Sequence, residues 1–123
     1  MPHKRIILFL ALSVIFAVVH YLAVRLSLYW YLWWFDILMH FWGGALVALG
    51  MHALSTFSFV TYKPTLKLLI ILLIIVTSTW EVFERSVGLF DQTTYIFDTV
   101  KDIAMGFIGG LLTHYSIRAY TLK

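Results

Sequence analysis

Three pairs of titratable residues recur at helical spacing along this chain: Asp36-x-x-x-His40, Glu81-x-x-Glu84 and Asp98-x-x-x-Asp102. Residues three or four apart share one face of an α-helix, so each pair offers two donors in the same direction. Brought together, five carboxylates and one imidazole can hold a divalent metal ion. Mixed carboxylate and imidazole ligation suits Zn, Mn or Fe, whereas an oxygen-only subset suits Mg or Ca. Metal-assisted hydrolysis or transfer is the reaction class such a site implies, with Glu84 and His40 as the groups that move the proton. Neither His-Glu-x-x-His nor Glu-x-x-His occurs in the chain. The zincin and ferritin-like di-iron patterns are therefore excluded, and no phosphate loop, nucleophile elbow or dinucleotide fingerprint is present.

The elements that must position these pairs follow from composition. Of 123 residues, 62% are hydrophobic, 18% aromatic and only 12% charged, and none is cysteine. An ordinary soluble domain is roughly 45–50% apolar and 25% charged, so the bilayer is the expected solvent. Spans of about 20 residues fit four times, at about 6–24, 37–54, 66–83 and 95–117, which leaves no room for a separate soluble domain. The expectation is an all-α, polytopic membrane protein, a single four-helix domain in the bacterial cytoplasmic membrane. The first stretch is too long, and its flank too poor in small residues, to read as a cleaved signal peptide. Six aromatics between Tyr29 and Phe35 suit the headgroup region. Absence of cysteine excludes a disulfide framework and a thiol nucleophile. The net charge of +3 comes from scattered Lys and Arg with no basic stripe, so no nucleic acid is expected as a partner.

Orientation follows from the bias of Lys and Arg toward cytoplasmic loops. With both termini inside, Lys4, Arg5, Lys63, Lys67, Arg118 and Lys123 are cytoplasmic, and Arg25, Arg85 and Lys101 are external. The same choice puts all six acids, Asp91 among them, on the outer side. The pairs then surround an outer-leaflet pocket whose acids cost roughly 2.5–3.5 kcal/mol each near a helix centre unless they face partners or water. Asp36 and Asp98 also have a plain role as carboxylates near helix N-termini. Glu84 at a helix C-terminus opposes the dipole, and His40 and Asp102 lie a turn deeper, so capping does not account for them. His20 is expected to bond a neighbouring carbonyl or hydroxyl, and His52 and His114 to be structural. Gly43, Gly44, Ala48 and Gly50, with Gly106, Gly109 and Gly110, supply small faces for close helix approach.

Three blocks, Asp36-Ile-Leu-Met-His40-Phe41-Trp42-Gly43-Gly44, Trp80-Glu81-Val82-Phe83-Glu84 and Asp98 to Gly110, resemble the VanZ-like and YjdF-like group of small bacterial membrane proteins. The resemblance covers the last three spans. It implies a shared polar site and a role at the outer cell envelope. VanZ-like proteins carry amides at the second position of the later pairs, whereas this chain has Glu84 and Asp102, which places it nearer the YjdF-like side. The leading functional expectation is a divalent-metal site that binds or acts on a lipid-linked or amphipathic envelope substrate. Two others remain open: a cation or proton carrier, which in so small a chain needs a homo-oligomer or a partner, and a non-catalytic membrane assembly factor.

Overall fold

In an apolar medium the backbone N–H and C=O groups have only each other as partners, and helices satisfy them within one segment. The structure, a computed structural model, describes residues 2–86 and 95–121. Asp91 and Lys123, which entered the charge distribution above, lie outside the described residues. In chain order the helices are α1 (Pro2–Arg25), α2 (Leu28–Tyr31), α3 (Phe35–Leu54), α4 (Leu66–Ser86) and α5 (Tyr95–Thr121). The described chain is all-α. Helices α1, α3 and α4 are each long and apolar enough to cross a membrane. Helix α5 is the longest at 27 residues but carries Asp98, Lys101, Asp102 and Arg118.

The helix ends differ from the expected spans by a few residues. Pro2 can open α1 because a first-turn residue needs no N–H, and α4 runs on to Ser86, so that both its glutamates are helical. The aromatic run is not a loop throughout. It contains the one-turn helix α2, reached through Ser27 in the left-handed conformation (φ 58°), where the chain turns out of α1. At the far end of α3, the carbonyls of His52, Ala53 and Met51 accept bonds from the Ser55, Thr56 and Tyr62 hydroxyls at 2.6–2.7 Å.

Glycines decide the packing. A side chain on Gly44 would collide with the Gly106 carbonyl, and one on Gly109 with that of Phe41, so α3 and α5 touch backbone to backbone. Their register runs from His40 beside Asp102 to His52 beside His114, which makes the two helices parallel. Helix α4 crosses this seam in the opposite sense. Its buried residues, Leu69, Leu73, Thr77, Glu81 and Glu84, form one stripe at helical spacing. Leu73 lies over Gly110 and Thr77 over Gly106, which carries the stripe onward to bring Glu84 within reach of His40. Helix α1 packs on α3 through Phe9 against Gly50 and Phe16 against Trp42. It remains exposed elsewhere, at Ile7, Val14, Ile15 and Val18 among others.

Candidate metal centre

The N-terminal ends of α3 and α5 and the C-terminal end of α4 meet at one end of the seam. There the Nε2 atom of His40 lies 3.2 Å from Asp36 Oδ1, 3.2 Å from Asp102 Oδ2 and 3.3 Å from Glu84 Oε1. Glu81 Oε1 follows at 3.8 Å. One ring nitrogen thus faces oxygens from three helices, although a nitrogen can carry at most one proton. Asp36, His40, Glu84 and Asp102 each offer a donor atom, and these atoms all lie within 4.8 Å of one another. Donors at roughly 2.0–2.2 Å from an ion can stand at most about 4.4 Å apart, so this buried cluster is within a small contraction of a metal shell.

Burial makes the arrangement costly without a cation. His40, Glu81, Glu84 and Asp102 are all under 10% exposed. Four carboxylates, counting Asp36, face a single imidazole. His40 Nε2, Glu81 Oε1 and Asp102 Oδ1 are also shielded from solvent without a hydrogen-bond partner of acceptable geometry. Orphaned buried polar atoms are rare, and each calls for a specific explanation such as an ion. A divalent ion held there would offset the charge excess and partner the unpaired atoms.

The structure does not bring all six expected residues to the same point. Asp98 sits one turn before Asp102 with its Oδ1 3.7 Å from Lys101 Nζ, outside the four-residue donor set. Glu81 is at its edge. His20 takes a hydroxyl, as expected: its Nδ1 lies 2.7 Å from the Tyr29 hydroxyl. Burial, then the charges of Asp36 and Glu84, push the Tyr29 phenol above its ordinary range, so Tyr29 keeps its proton beside His20. His52 and His114 pair with each other, Nε2 to Nδ1, at 2.9 Å at the opposite end of the seam.

Sequence reasoning missed Trp80. Its indole N–H donates to Glu84 Oε1 at 2.8 Å, and its ring stands edge-on to His20 and Phe16. The bond holds the Glu84 carboxylate toward His40 and leaves lone pairs for an ion. Spacing could have shown it, since Trp80 and Glu84 are four residues apart on one helix.

Residues 4–123 match a protein-family model described as Predicted membrane protein (DUF2238). The chain belongs to this family. With its apolar helices, this DUF2238 member is a multi-pass membrane protein. No curated protein and no solved structure matches it.

Proposed function

We propose that this DUF2238 protein is a divalent-metal protein whose centre lies in the outer leaflet and binds or acts on an amphipathic envelope substrate. The observation that carries the reading is the convergence of Asp36, Glu84 and Asp102 on His40 Nε2 from three helices, with His40, Glu84 and Asp102 buried and Asp36 partly exposed at the mouth. A set containing imidazole favours Zn, Mn or Fe over Mg or Ca. Bound there, such an ion supplies Lewis-acid polarisation of a substrate oxygen. Asp36, His40, Glu84 and Asp102 would hold it. Trp80 would orient Glu84; with Glu84 and His40, the expected proton carriers, taken up as donors, Glu81 at the edge of the set would accept the proton of the attacking water and return it to the leaving group.

The supporting frame is a single domain of four spans with both termini cytoplasmic. Helix α5 runs parallel to α3 along the whole seam, and at 27 residues and 1.5 Å per residue it reaches about 40 Å against a hydrocarbon core of about 30 Å. Its acidic first turn then lies level with that of α3. Affiliation with the YjdF-like side of the VanZ-like group rests on the same acid pairs and the glycines that follow them.

Elemental analysis of protein purified without chelator tests the metal. The expected result is close to one transition-metal ion per chain, lost on chelation together with thermal stability. A ligand present at a hundred times its Kd contributes about 2.7 kcal/mol, so the loss is readable as a shift in Tm. Metal-free protein whose Tm ignores added Zn, Mn and Fe would overturn the reading.

A further inference from the structure

A groove of about 280 Å³ runs beside the centre between α1, α3 and α4. Its walls are Phe9, Phe16, Val47 and Val76, with Ser13 and Gly43 facing it from α1 and α3. Two further lining residues, His40 and Trp80, also belong to the cluster, His40 as a donor and Trp80 as the partner of Glu84. The groove is thus apolar along its length and meets the carboxylates through two side chains. Its volume is roughly twice that of the ~150 Å³ apolar cavity that stays dry and takes a benzene ring. In a multi-pass membrane protein, the medium beside α1 and α4 at this depth is hydrocarbon, and water gains nothing by entering such a space.

We propose that this groove seats a single hydrocarbon chain of an amphiphile whose polar head lies at the Asp36–His40–Glu84–Asp102 centre. The inference rests on the metal reading for what meets the head and on the groove alone for what holds the chain. It names the substrate class as single-chain amphiphiles, since the space lies between three helices and accepts one chain in extended form.

Gly43 provides the test. A Cβ there meets only the Phe16 ring, at 3.9 Å, whereas one on neighbouring Gly44 strikes backbone. Gly43→Leu therefore fills the groove without touching the seam. The full chain is placed in nanodiscs with a lysophospholipid carrying a diazirine near the end of its chain, irradiated, and mapped by mass spectrometry. Labels are expected on Phe9, Val47 or Val76, and they should fall about tenfold in Gly43→Leu, the scale of overfilling a packed site. Metal content, measured on the same samples, should be unchanged by the substitution. Labels spread evenly over lipid-facing Ile15, Ile74 and Ile75, or indifferent to Gly43→Leu, overturn the groove assignment. Groove labelling in protein that holds no metal supports the chain site and removes the metal reading instead. Should Gly43→Leu fail to fold, Ser13→Phe fills the groove from the opposite wall and is read in the same way.

Discussion

His40 presents one nitrogen to three carboxylates, and a proton can satisfy only one of them. That imbalance is what a bound cation would relieve. Replacing His40 by alanine removes a donor and leaves the acids facing one another, so metal content should fall to background. Asp102→Asn keeps the shape but weakens the donor set, and the expected outcome is retained folding with reduced ion affinity, read by titration of the metal-stripped protein. Trp80→Phe is the finer probe. It preserves a ring against His20 and Phe16 but deletes the N–H that holds Glu84. Losing such an outer hydrogen bond to a ligand costs roughly 10–100-fold in affinity, with little change in the Tm of the metal-free form. The pairing of Asp36 with His40 was readable from spacing alone. The bond from Trp80 was equally readable in principle, but tryptophan draws attention as a membrane-interface residue before it does as a donor.

At the scale of helices, the site depends on contacts that contain no chemistry of their own. The α3–α5 seam is closest at Gly44 and Gly109, where the carbonyls of Gly106 and Phe41 on the facing helix occupy the place a side chain would take. Close approach of this kind replaces the hydrophobic drive that helices lack inside lipid. Gly44→Leu should force the seam apart at a cost of about 3 kcal/mol or more, the upper range of overpacking, seen as lost folded yield and lost metal together. Gly43→Leu, one residue away, should fold. The contrast isolates direction, because consecutive residues on a helix point about 100° apart at 3.6 residues per turn. Both glycines were recognisable as packing residues, but which one faced α5 was not. The seam also separates the centre from the His52–His114 pair, with Gly44, Ala48, Gly106 and Gly110 between them. Along that stretch the Thr77 hydroxyl over Gly106 is bonded back to the Leu73 carbonyl of its own helix, which weighs against a carrier.

For the whole molecule, the proposed topology places the acidic centre outside and the Ser55–Thr65 connection inside. The absence of native cysteine makes this directly testable with single cysteines and a membrane-impermeant maleimide. Thr61→Cys should label only after the membrane is opened, and Trp33→Cys should label in intact cells. The reverse pattern would invert the molecule and put the centre on the cytoplasmic leaflet. Exposed apolar residues on α1 and α4, including Ile15, Val18, Ile74 and Ile75, are those a bilayer would cover, so detergent removal should aggregate the protein even with metal bound.

Solvent, helical class and the inventory of donors were settled by the chain itself, because composition and the 3.6-residue period are properties of local sequence. Asp36, His40, Glu84 and Asp102 announced themselves as pairs within single helices. What only the tertiary structure decided was which pairs meet, and how completely. Asp98 repeats the spacing of Asp36 yet lies beside Lys101, while Glu81 stops at 3.8 Å from His40. Those outcomes depend on the rotation and sliding of each helix against its neighbours. Backbone contact at Gly44 and Gly109 sets both for α3 and α5, and Leu73 and Thr77 seated over Gly110 and Gly106 set them for α4; no spacing along one helix encodes its azimuth relative to another.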